Sequence, residues 1–198
     1  MKIIYRGGYN KNDEKSVKNS SIYCYNNKIS SFFKKGKRIA LIMAAMPKGY
    51  FLEYIKKEIL NKCNVIERDY IGKINWRDYD LIIVFGGNTK DVHEFLKSKK
   101  FSFNKLKSDV ELIGDSAGAF IFSRWYPNHK YKLDKNGKLI WESVKFHKGF
   151  LEKGNFICMV HYNRLNKFAQ DKIKEFAKTK NLEILKLKEN ESVEKEFA

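Results

Sequence analysis

Cysteine, proline and arginine are scarce in this chain of 198 residues. Its three cysteines, Cys24, Cys63 and Cys158, are widely spaced and odd in number. That excludes a disulfide framework and offers no metal-ligand spacing, so they read as reduced thiols in or near the core. No metal and no cofactor is expected. With only two prolines, and no repeat or low-complexity stretch, nothing marks a linker. No apolar run reaches the 18 residues or so of a transmembrane helix. The opening Met-Lys-Ile-Ile-Tyr-Arg-Gly-Gly lacks the long apolar stretch of a signal peptide, so a cytoplasmic location is expected. Acidic residues are outnumbered, 23 against 40 basic ones, which gives a net charge of +17. Only six of the basic residues are arginine, and the lysines spread along the whole chain. This reads as a solvated lysine-rich surface rather than a nucleic-acid footprint, with steering of an acidic substrate as a milder role. No phosphate loop is present, since Gly-Gly-Asn-Thr at 86–89 lacks the spaced Gly-Lys-Ser/Thr.

What the chain does have is alternation. Short apolar runs at 2–5, 38–45, 64–69, 80–85, 110–114, 155–160 and 182–187 read as strands. Between them, 27–35, 49–62, 89–98, 117–123 and 164–179 show helical spacing, as with Phe51, Ile55 and Ile59. Asn136-Gly137 signals a tight turn, so 130–145 reads as a β-hairpin. Residues 9–21 are a loop or loose helix, and 188–198 a charged tail, mobile or weakly helical. The predicted architecture is one α/β domain over 1–198, with a mostly parallel sheet sandwiched by helices. At this length about 70% of the unfolded chain's surface is buried on folding.

Two turns in this pattern carry chemistry. In Leu-Ile-Gly-Asp-Ser-Ala-Gly-Ala, 112–119, a buried strand runs into small residues that start a helix. Ser116, framed by Gly114 and Gly118 as Gly-x-Ser-x-Gly, fits a nucleophile elbow with its hydroxyl at a helix N-terminus. In Leu-Ile-Ile-Val-Phe-Gly-Gly-Asn-Thr, 81–89, another strand enters a glycine-rich turn before a helix. The N–H groups of Gly87 and Ala117 are the candidate pair for an oxyanion hole. The plainer reading of this second turn is an ordinary strand-to-helix connection, with Asn88 or Thr89 as the cap. A serine hydroxyl needs a base. His161 follows the strand 155–160, at the sheet edge that also holds the serine. His93, His129 and His147 fall in a helix or about the hairpin, where exposure is the default.

Phe-Gly-Gly-Asn-Thr at 85–89, Gly-Asp-Ser-Ala-Gly-Ala at 114–119 and Val-His-Tyr-Asn at 160–163 resemble, in order and rough spacing, three signatures of a serine peptidase family. This is peptidase family S51, which includes aspartyl dipeptidase (dipeptidase E) and cyanophycinase. Lys-Ile-Ile-Tyr at 2–5 and Arg-Ile-Ala-Leu-Ile-Met-Ala-Ala at 38–45 resemble its first strands, so the likeness spans about residues 1–187. Phe85 replaces a glycine and Val160 a proline of the usual signatures, and Asp115 stands where many members carry a small or neutral residue. The resemblance implies a flavodoxin-like fold of the class I glutamine amidotransferase type. It also implies a serine peptidase cleaving short peptides, with aspartate on the acyl side of the bond. Ser116 would be the nucleophile, His161 the base, and an acid would lie between them. Asp134, 18 residues after Ser116, fits best, with Glu142 as the alternative and Glu152 further on. For a substrate carboxylate, Arg164 is the candidate cation and Asn88 a candidate donor.

Other readings stay open. A small esterase of the α/β-hydrolase type shares Gly-Asp-Ser-Ala-Gly, though nothing here matches its usual His-Gly-Gly-Gly loop. A glutamine amidotransferase would need cysteine at position 116. A non-catalytic binding or regulatory protein on the same fold would also carry these turns. No apolar stripe identifies a protein partner, and a homodimer through an exposed helix face stays open.

Overall fold

The computed structural model describes residues 1–9, 13, 16, 21–46, 55–135 and 139–197. The expected turn at 136–138 and the first half of the expected helix at 49–62 lie outside them, as does most of 9–21. The first sheet has six strands: β1 (Lys2–Arg6), β2 (Ile39–Met43), β3 (Asn64–Glu67), β4 (Leu81–Val84), β5 (Glu111–Asp115) and, last in the chain, β10 (Ser192–Glu196). Their order is β10-β1-β5-β4-β2-β3, parallel except for β10. β2 and β4 are buried along their whole length. Ile39, Leu41, Leu81 and Ile83 face one cluster with Tyr25 and Ile29 of α1 (Ser21–Lys34), while Ala40, Ile42, Ile82 and Val84 face the other. Continuous apolar runs are what a parallel strand covered on both faces requires. The α/β class, with a mostly parallel sheet between helices, is therefore the one expected.

α1 begins six residues before the expected 27–35, and within the described part of the predicted 49–62 segment α2 covers Lys57–Leu60. α3 is Thr89–Ser98, α4 is Ala117–Ile121 and α5 is Lys167–Lys180. Asn88 and Asn166 cap α3 and α5, their side chains accepting from Asp91 N at 3.2 Å and Ala169 N at 3.1 Å.

Two expectations are corrected. First, the strands do not form one sheet. β6 (Trp125–Leu133) and β7 (Leu139–Lys148) make a hairpin longer than predicted, with a bulge at Lys130/Tyr131. It joins β8 (Phe156–Met159) and β9 (Glu183–Lys186) in a second sheet of order β7-β6-β8-β9. The apolar runs of β8 and β9 resemble those of the first sheet, and a linear pattern does not say which strand pairs with which. Second, the tail is neither mobile nor helical across 192–196 but pairs antiparallel with β1, Lys2 opposite Glu196 and Arg6 opposite Ser192. Its charged residues gave no strand signal because an edge strand needs backbone partners more than apolar side chains.

α4 lies directly on the end of β4. A Cβ added at Gly118 would stand 2.3 Å from Val84 O, closer than any relaxed contact. Gly118→Ala is expected to lower stability by about 1–3 kcal/mol, read from urea unfolding. An unchanged midpoint would show that α4 lifts off the sheet at little cost.

Candidate active site

Ser116 stands between β5 and α4 with φ 51° and ψ −106°. This is a strained backbone for a residue with a side chain, and it lifts the hydroxyl out of the turn. Its N–H donates to Arg6 O at 3.0 Å, and its carbonyl accepts from Phe120 N at 3.1 Å. His161 lies two residues beyond β8, also at positive φ, and its N–H donates to Gly7 O at 3.2 Å. The two side chains meet. The Ser116 hydroxyl and His161 Nε2 are 2.9 Å apart, which suits O–H donation to the ring nitrogen.

The carboxylate next to this histidine is Glu189, with His161 Nδ1 3.3 Å from its Oε1. Glu189 follows β9 in the supposed tail, so the acid comes after the histidine in the chain. Asp134 and Glu142 do not take that place. Asp134 lies past the end of β6 at the hairpin tip, and Glu142 is exposed and paired with Lys132 at 3.0 Å. Glu152 is exposed as well. The expected interval failed because chain order is not spatial order: β9 runs beside β8 and delivers residue 189 to the same end. The signal on offer was a carboxylate just after the last apolar strand.

Glu189 is held from several sides. Its N–H donates to Asn163 Oδ1 at 3.1 Å, and Arg164 donates to its Oε1 at 2.5 Å. Burial works to raise its pKa, but the bonds and charges of His161 and Arg164 prevail and hold it below the usual glutamate range. Arg164, expected to meet a substrate carboxylate, is thus engaged by the protein's own acid. Asn88, the other expected substrate contact, uses its carbonyl oxygen to cap α3. Asp115 is buried facing Arg6, Oδ1 to Nε 4.0 Å.

Gly8 was not singled out in the sequence, yet it closes the site. It has φ +83°, and a Cβ there would lie 2.7 Å from His161 Nε2 and 3.1 Å from Ser116 Cβ. A Gly-Gly pair directly after an apolar strand was the available signal, the same one used at 86–87. Gly87 (φ +115°) is exposed at the cleft mouth. Ala117 is the first residue of α4, so its N–H has no partner within the helix. Among the described residues neither amide donates to a backbone carbonyl outside the regular elements. Beside Ser116 and His161 is a cleft of about 70 Å³ walled by Phe120, His129, Tyr131 and Trp141. His129, expected on the outside of the hairpin, stacks on Trp141 in this wall. Among the described residues no group of His, Cys, Asp and Glu is arranged to hold a metal, and no helix is long and apolar enough to cross a membrane.

No known family model and no curated protein sequence matches the chain. A structural match exists to the 1.5 Å crystal structure of a protein provisionally named peptidase E from Listeria monocytogenes EGD-e. The TM-score is 0.52 at 19% identity, covering 100% of this chain and 98% of that one. The chain therefore has a peptidase E-like α/β fold.

A carboxyl whose pKa is lower folded than unfolded stabilises the fold above its unfolded value of about 4.3, and the contribution is lost as pH falls through the folded value. The stability difference between wild type and Glu189→Gln is expected to shrink as pH falls from about 6 toward 3. Urea unfolding across that range reads it. A difference independent of pH would mean that His161 and Arg164 do not hold the carboxylate charged.

Proposed function

We propose that the protein is a serine peptidase acting on short peptides through Ser116, His161 and Glu189. The 2.9 Å contact between the Ser116 hydroxyl and His161 Nε2 carries this reading. A buried carboxylate on the far ring nitrogen adds to it. In the proposed reaction, Glu189 accepts from His161 Nδ1–H, which leaves Nε2 as the base. His161 takes the hydroxyl proton as Ser116 Oγ attacks the peptide carbonyl carbon. The N–H groups of Gly87 and Ala117 hold the resulting oxyanion. As the tetrahedral species collapses, the C–N bond breaks, and His161 gives its proton to the departing amine. A water, deprotonated by the same nitrogen, then releases the acid and restores Ser116. Glu189 stays ionised throughout and stabilises the imidazolium by its charge. Its Arg164 contact fixes the carboxylate rather than serving the substrate. The small cleft supports a substrate that inserts one side chain rather than a long peptide.

Ser116→Ala is expected to abolish turnover of a dipeptide panel with an unchanged urea unfolding curve. Glu189→Gln is expected to lower kcat/KM by about 10²–10⁴-fold. Full activity in Ser116→Ala would exclude this mechanism.

A further inference from the structure

No lysine, arginine, aspartate or glutamate lines the cleft next to Ser116. His129 lies flat on Trp141, with ring centroids 3.9 Å apart and planes 10° from parallel, and meets Phe120 edge-on. Burial lowers the His129 pKa to about 4, with the Pro127 carbonyl working against the shift and His161 adding to it, so the ring is neutral above that. Its Nδ1 lies 3.4 Å from Pro127 O, a long donation that sets the tautomer. Arg164 does not line the cleft and is turned to Glu189. The remaining walls are Thr89, Tyr131, Val160 and Leu165, with the indole of Trp141, whose Nε1–H is buried without a partner among the described residues.

A carboxylate entering such a space gives up its water and meets no lysine or arginine, so its desolvation is not offset. An indole N–H and the Thr89 hydroxyl do not replace the paired, charged donors of an arginine. An uncharged side chain pays no such penalty and gains by burying apolar area against rings. The volume, about 70 Å³, is far below the roughly 300–1,000 Å³ of a drug-sized site.

We propose that this aromatic cleft receives the substrate side chain on the acyl side of the scissile bond, and that it selects an uncharged residue and rejects aspartate. The proposal rests on Ser116 being the nucleophile. It departs from the aspartyl preference that the sequence resemblance implies.

The test uses two aminoalkyl phosphonate diphenyl esters, one with a leucine side chain and one with an aspartate side chain. Ser116 Oγ bonds to phosphorus, one P–O(phenyl) bond breaks, and the serine proton leaves through His161 on the released phenol. Intact mass of the full chain reads the adduct, and Ser116→Ala takes none. The leucine probe is expected to label at least about tenfold faster than the aspartate probe, the equivalent of 1.4 kcal/mol. Tyr131 is 55% exposed at the edge of the cleft, so Tyr131→Arg adds a cation without filling the core. It should move the ratio about tenfold toward the aspartate probe. Equal or faster labelling of wild type by the aspartate probe overturns the pocket assignment and leaves the nucleophile standing. Failure of both probes to label Ser116 overturns the nucleophile, and the proposal with it.

Discussion

The backbone of residues 6–8, at the end of β1, is the piece on which the site depends. Arg6 O accepts from the N–H of Ser116, Gly7 O from that of His161, and Gly8 O from that of Asn190. Gly7 N in turn donates to Glu191 O. Three segments from two different sheets are thereby tied to consecutive peptide groups. Backbone bonds of this kind fix position without depending on side-chain rotamers, and most buried groups must make them in any case. Gly8 lets the segment pass within contact distance of both the serine and the imidazole.

That arrangement explains how a site can straddle two sheets. β5 ends in the middle of the first sheet and presents Ser116. β8, in the second sheet, presents His161 from the other side. β9 pairs with β8 in parallel, so the turn after it returns to the same end with Glu189. β10 then crosses to β1 and closes the first sheet. The acid is therefore placed by the strand pairing on either side of it, not by its own local sequence.

Electrostatics set the character of the site. Glu189 is shared between an imidazole and a guanidinium, so its charge is strongly held and its geometry constrained. The same contact turns Arg164 toward Glu189, and it does not line the cleft. The space left beside the serine is bounded by aromatic rings and a neutral histidine. A chain with a net charge of +17 thus has a cleft lined by no lysine or arginine.

The sequence by itself determined the α/β class, most strand positions and the two glycine-rich turns, because burial on both faces leaves continuous apolar runs and tight strand-to-helix turns demand small residues. It also pointed to Ser116 and His161, which stand where those local rules place them. Only the tertiary structure decided that β6 to β9 form a separate sheet, that 192–196 is a strand, and that Glu189 rather than Asp134 or Glu142 lies against the histidine. Only it showed that Arg164 is spent on Glu189 and that His129 lines the cleft. Periodicity reports how much of each element is buried. It carries no record of which strand lies beside which, and partners distant in the chain are set by that pairing alone.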